Sequence, residues 1–97
     1  MCEVTILLGA EIEMQSAYER YGAAPGAARL DERIRLALRQ LREQPRSGKF
    51  YAGRFRRLVV TRSPYGLFYV VENRGVVVHA FVDLRQNPDF IRRRLGL

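Results

Sequence analysis

The chain has 97 residues, 47% of them hydrophobic and 28% charged, which is enough for one folded core and too little for two, and argues against a disordered chain. No apolar run approaches the roughly 20 residues of a membrane span, and Met1-Cys2-Glu3 lacks the basic start and long apolar stretch of a secretory leader, so the expected location is the cytoplasm with no membrane partner. The formal net charge is +7, and one cysteine, Cys2, with one histidine, His79, excludes an internal disulfide framework and leaves no spacing for a metal site, so no metal and no cofactor is expected.

Residues Glu3 to Leu8 are β-branched and apolar and are ended by Gly9, which predicts a first strand. From Ala10 the positions Met14, Ala17, Tyr18 and Tyr21 recur at helical spacing until Gly22 and Pro25 stop the pattern. A small-residue connector, Ala23 to Ala27, leads to a second amphipathic helix carried by Leu30, Ile34, Ala37, Leu38 and Leu41. Asp31 and Glu32 stand early in it and Arg39 and Arg42 late, as the helix dipole prefers. Gln44-Pro45-Arg46-Ser47-Gly48 breaks that helix and marks the switch to sheet.

Three strands are expected next: Arg54 to Arg62, then, after a Ser63-Pro64 turn, Tyr65 to Glu72, then Val76 to Val82. Asn73-Arg74-Gly75 closes the last hairpin with residues that tolerate positive φ. Val76 to Val82 shows little polar alternation and reads as a central strand covered on both faces. Asp83 to Asn87 forms a short loop, and Pro88 opens a final helix through Leu95. The expected fold is one α+β domain over residues 1–97, with the N-terminal strand and a helical hairpin packed on one face of an antiparallel sheet. Its order is β-α-α-β-β-β with a short C-terminal helix, and the second sheet face is left for function.

The charge is unevenly placed. Up to Pro45 seven acidic residues oppose six arginines, whereas from Arg46 onward three acids oppose eleven basic residues, a local excess of +8. Sixteen of the 17 cations are arginines, which suits planar contacts to phosphate or carboxylate and equally suits a codon bias in the gene.

Nucleotide-binding glycine loops, the G-x-S-x-G elbow and the H-E-x-x-H zinc motif have no counterpart in the sequence. His79 in mid-strand is better explained by packing than by pairing with Cys2, and Asp83 and Asp89, flanking the last loop, by helix capping than by acid/base work as a pair. Tyr51, Phe55 and Tyr69 read as core aromatics before base-stacking platforms. The arginines leave two routes open. Arg57, Arg62 and Arg85 with Tyr65 have the composition of a metal-free site for RNA cleavage, with arginines on the phosphate and a phenol to move a proton. The simpler alternative is a solvated basic face that binds nucleic acid or an acidic protein segment without proton transfer.

The series Arg56-Arg57-Leu58, Pro64-Tyr65-Gly66-Leu67-Phe68-Tyr69, Val76-Val77-Val78 and Leu84-Arg85-Gln86-Asn87-Pro88 resembles the RelE/ParE superfamily of toxins from bacterial type II toxin-antitoxin systems. The helix over Ala10 to Tyr21 and the longer helix ending at Gln44-Pro45 agree with that resemblance, which spans nearly the whole chain. It implies a growth-inhibiting, plasmid-stabilisation-type toxin neutralised by a cognate antitoxin, whose extended or helical C-terminal segment wraps over it. An acidic, amphipathic segment would suit the basic back half.

The superfamily divides by mechanism: RelE-like members cut messenger RNA on the ribosome, and ParE-like members poison DNA gyrase. The RelE-like pattern is only partly present. Arg57 matches a first basic strand position but Val59 stands at the second, Gly66 follows Tyr65 where an arginine is expected, Arg85 or Gln86 covers the loop arginine, Arg92 falls near an expected tyrosine, and Asp83 stands where many relatives have histidine. The resemblance therefore favours a ParE-like gyrase inhibitor contacting its target or antitoxin through Arg57, Arg62, Arg85, Arg92, Arg93 and Arg94, with no catalytic residue assigned. The alternative is a ribosome-dependent mRNA endonuclease in which Arg57, Arg62 and Arg85 hold the phosphate and Tyr65 or Asp83 moves protons. A third reading is an inactive relative that binds only its antitoxin. The discriminating geometry is whether Tyr65 and Asp83 converge with Arg57 and Arg85.

Overall fold

The computed structural model describes residues 2–21 and 25–97. The elements are β1 (Glu3–Ile6), α1 (Leu8–Tyr21), α2 (Pro25–Glu43), β2 (Lys49–Ala52), β3 (Phe55–Val59), β4 (Tyr65–Glu72), β5 (Gly75–Asp83) and α3 (Pro88–Arg94). The expected α+β architecture is present: a strand, two helices, a sheet and a short terminal helix. The sheet order is β1-β5-β4-β3-β2, antiparallel throughout except that β1 runs parallel to β5 at one edge. Beyond the three strands expected after the helices stands β2, whose four residues are too few to show a period.

Local chemistry accounts for the boundaries that moved. The first strand stops at Ile6 rather than Leu8 because its ladder ends at the Ile6–Val78 pair, one residue before an irregularity in β5. Leu7 still donates its N–H to the Val78 carbonyl, and its own carbonyl accepts from Glu11 N, so the chain turns directly into α1. Gly9, expected to end the strand, lies inside α1. The connector expected over Ala23 to Ala27 falls partly on residues 22–24, outside the described residues, and from Pro25 onward it is helix. Because α2 begins at Pro25, Asp31 and Glu32 sit beyond its first turn, while Arg42 remains in its last. The carbonyls at the end of α2 are capped by the residue that precedes β1: Cys2 N donates to Arg42 O at 3.1 Å and the Cys2 thiol to Leu41 O at 3.4 Å.

The β4–β5 hairpin turns on Asn73 and Arg74 without positive φ, contrary to expectation. Gly75 is needed for a different reason: a Cβ there would collide with the Glu3 carbonyl oxygen and backbone nitrogen, so only glycine lets β1 lie against β5. Among the described non-glycine residues positive φ falls instead on Arg62, at 57°, in the β3–β4 turn, where Ser63 Oγ donates to Val60 O and accepts from Tyr65 N.

Both helices pack on one face of the sheet. Ala10, Met14 and Ala17 of α1 and Leu30, Ile34, Ala37 and Leu41 of α2 meet Leu67, Tyr69, Val76, Val78 and Phe81 in the main core. The pairs Phe68–Ala80 and Tyr69–Val78 leave His79 as an extra residue in β5, a bulge that reverses the alternation of the strand. Val76 and Val78 therefore face the helices on one side of it and Phe81 on the other, while Ala80 and Val82 face the second side. That second face is not wholly open: Phe68, Ala80 and Val82 form a smaller core there with Ile91 and Leu95 of α3, flanked by Tyr51 and Phe55.

Candidate functional site

The residues singled out in the sequence separate into distinct places. Tyr65 and Asp83 are cross-strand partners at the end of the β4–β5 ladder. The Tyr65 ring is 5% exposed and stacks on Phe81 with centroids 4.6 Å apart and planes 15° from parallel. Asp83 is buried and gripped by Arg85: Nε donates to Oδ1 at 3.0 Å, Nη2 to Oδ2 at 2.7 Å, and the backbone N of Arg85 to Oδ1 at 2.9 Å. This fork holds the Asp83 carboxyl below its ordinary pKa against the opposing effect of burial, with a smaller contribution from Arg20. An acid so held is a turn-fixing anion rather than a proton donor at neutral pH.

Arg57 lies elsewhere. It is paired across β3–β4 with Phe68, and Tyr65 stands an odd number of residues from Phe68 along β4, so Arg57 and Tyr65 emerge on opposite faces of the sheet. Arg62 is exposed in the β3–β4 turn, where its carbonyl accepts from Arg33 Nη1 at 2.8 Å and fastens that turn to α2. Arg92 and Arg93 are exposed on α3. Arg94, assigned with them to a contact surface, has a structural task instead: Nε and Nη2 donate to the two carboxylate oxygens of Glu13 at 3.0 and 2.8 Å, and Nη2 also to the His79 carbonyl at 3.0 Å.

Asn87, not Asp89, caps α3: its Oδ1 accepts from Asp89 N at 2.8 Å, with Pro88 in the first turn and Asp89 beside the dipole's positive end. His79 is packed edge-on against Phe55, centroids 5.1 Å apart, and burial, aided by the Arg54 cation, holds its pKa below the ordinary value. Tyr69 is fully buried and accepts from Gly48 N at 2.9 Å, and Tyr51 packs edge-on against Phe68. These three aromatics, Tyr51, Phe55 and Tyr69, are thus spent on packing.

The sequence reading missed residues from α1. A cleft of about 180 Å³ opens where the end of β5 meets α1, lined by Glu13, Arg20, Tyr65, Asp83, Gln86 and Phe90 among others. Glu13 and Arg20 flank the buried Ala10-Met14-Ala17 stripe, which is the signal that would have placed them beside the sheet. Among the described residues no group of three or more His, Cys, Asp or Glu side chains is placed to hold a metal ion, and no helix is long and apolar enough to cross a membrane.

Comparison with known proteins gives a consistent family. The sequence model of the ParE toxin of the type II toxin-antitoxin system, parDE, matches residues 9–88. Among solved structures, a chain of the chromosomal ParDE TA system from P. aeruginosa shares the fold with a TM-score of 0.73 at 16% identity, over 86% of this chain and 96% of that one. No curated protein sequence matches the chain.

Proposed function

Because this chain belongs to the ParE toxin family of type II toxin-antitoxin systems, we propose that it is a growth-inhibiting toxin that acts by binding, with DNA gyrase as its target and a cognate antitoxin as its inhibitor. The observation that carries a binding mechanism is the separation of Arg57 from Tyr65 and Asp83. RNA cleavage without a metal needs a proton-transfer group within about 3 Å of the attacking 2′-oxygen, among converging cations. Here the phenol is stacked in the core, the carboxylate is clamped by Arg85, and Arg57 is on the other side of the sheet.

The surface available for protein contact is basic. Arg62, Arg92 and Arg93 are exposed and the Arg85 side chain is 75% exposed even while holding Asp83. With Arg57, half-buried on the second face, they form the proposed contact set for the target or for an acidic, amphipathic antitoxin segment. Arg94 is removed from that set and acts by holding α3 in place.

Induction in a bacterial host tests the proposal. Plasmid supercoiling and the DNA-damage response are followed in one arm, and primer extension across abundant messages in the other. Damage signalling with intact messages supports a gyrase poison. Codon-phased cuts without damage would replace it with the ribosome-dependent endonuclease, and growth unaffected in both arms would leave a relative that only binds its antitoxin.

A further inference from the structure

From Gln44 to Val71 the chain carries no acidic residue and six basic ones, Arg46, Lys49, Arg54, Arg56, Arg57 and Arg62. Among the described residues none of these six forms an ion pair with a carboxylate. Four of them cluster about β2, the outer strand of the sheet. Lys49 and Arg57 are direct cross-strand partners, and they lie on the opposite sheet face from Phe50 and Arg56. Arg56, paired with Phe50, lays its guanidinium over the Phe50 ring at 4.0 Å from the centroid. It is held there by donating from Nη1 to the carbonyls of Arg46 at 3.0 Å and Gly48 at 2.8 Å. Phe50 is nonetheless 70% exposed, so the guanidinium covers one side of the ring and the rest meets solvent.

We infer that this edge, Phe50 with Arg56 and Arg46, binds single-stranded nucleic acid, with one base stacked on the free side of Phe50 and the adjoining phosphates on the two arginines. An exposed aromatic ring backed by a fixed guanidinium, in a stretch of chain with no acidic residue, is the arrangement that takes an unstacked base and its backbone together. The two sides of the ring are then occupied by a base and a guanidinium. A duplex offers the same charge but no free base face. An acidic peptide added as a further strand is disfavoured by the edge itself: β2 has four residues, begins with lysine and loses register between Phe50 and Ala52. The inference requires neither gyrase nor cleavage, and it concerns a different part of the molecule from α3 and the end of β5.

The test is fluorescence anisotropy of the purified chain with labelled oligodeoxythymidine of about 15 nucleotides and with a hairpin duplex of equal charge, from about 50 to 200 mM salt. The expected result is tighter binding of the single strand. Phe50→Ala should weaken it at least about fivefold, the lower end of the range for losing one stacked base, without altering the salt slope, and Phe50→Trp should restore it. Arg46→Ala should lower the slope while leaving the single-strand preference. Equal binding of duplex and single strand, or no effect of Phe50→Ala in a protein whose melting is unchanged, would overturn the inference in favour of plain electrostatic attraction. Displacement by a polyglutamate peptide whose own affinity ignores Phe50→Ala would overturn it in favour of an acidic protein partner. Failure of Phe50→Trp to bind where the parent does would also count against stacking.

Discussion

Glu13 in α1 and Arg94 in α3 are 81 residues apart and joined in a two-point charge-assisted contact, Nε to Oε2 at 3.0 Å and Nη2 to Oε1 at 2.8 Å. The pair is tied into the bulge of β5 from both sides. Glu13 Oε1 also accepts the Phe81 N–H at 3.1 Å, and Arg94 Nη2 also donates to the His79 carbonyl. The extra residue in β5 leaves backbone groups without ladder partners, and this ion pair satisfies them. Gly9, one turn before Glu13 on α1, makes room, since a Cβ there would stand 2.8 Å from Arg94 Nη2.

Breaking that contact should loosen α3 and the bulge together. The side chains are 30% and 27% exposed, so solvent screens part of the interaction, and Arg94→Ala should cost about 1–3 kcal/mol in urea unfolding. Arg94→Lys should recover little of it, because an ammonium cannot reproduce the fork. In a double-mutant cycle with Glu13→Gln, a coupling near zero would show that the two residues act separately.

Gly75→Ala should destabilise the sheet edge by about 1–3 kcal/mol, the usual cost of forcing atoms into a filled site, because the new methyl meets the Glu3 backbone. Hydrogen exchange should show the loss first in β1, whose ladder with β5 runs from Glu3–Gly75 to Ile6–Val78. Uniform loss across all five strands would mean that β1 is not the part displaced.

Tyr65→Phe keeps the ring that stacks on Phe81 and removes only the hydroxyl. Growth inhibition should persist in this variant, measured by colony counts after induction at matched protein level. A loss of about 100-fold or more in potency, of the order that general acid-base catalysis supplies, with unchanged melting temperature would make the hydroxyl a proton carrier and revive the nuclease.

Two titrations should shape stability in opposite parts of the pH scale. The Asp83 pKa is depressed in the fold by the Arg85 fork, so its contribution is complete above the unfolded value of 3.8 and is lost as pH falls through the lower folded value. Asp83→Asn should flatten the acid limb of a melting-temperature profile. His79 is held below its ordinary value by burial and by Arg54, with Arg94 adding to this and Glu72 opposing it. The unfolded chain therefore binds the proton more readily, and stability should fall as pH drops from 6.5 toward the folded value, a slope that His79→Gln should remove. Profiles of parent and variants that superimpose would refute both assignments.

Arg92→Ala with Arg93→Ala should leave stability nearly unchanged, since both side chains are exposed on α3. Potency or antitoxin affinity should fall, and the parent should show the steeper dependence on salt. Identical salt slopes would take α3 out of the interface.

Patterns local in the chain were legible from the residues alone. The limits of β4, Tyr65–Glu72, the helical stripe Leu30-Ile34-Ala37-Leu41 and the break at Gln44-Pro45 all follow from periodicity and turn chemistry, and the ordered series from Arg56 to Pro88 carried the superfamily. Features that depend on how elements meet were not legible. Val76 to Val82 looks like one uninterrupted strand, yet pairing with β4 inserts the bulge at His79 and decides which side chains face the helices. Arg94 is indistinguishable by sequence from Arg92 and Arg93, and only the approach of Glu13 from α1 makes it an internal clamp. Tyr65 and Arg57 look like members of one site until the β3–β4 register sends them to opposite faces. Hydrophobic period and turn preference act over a few residues and can be read from the chain, whereas register, bulges and ion pairs arise from contacts between distant segments and exist only once the sheet has closed around them.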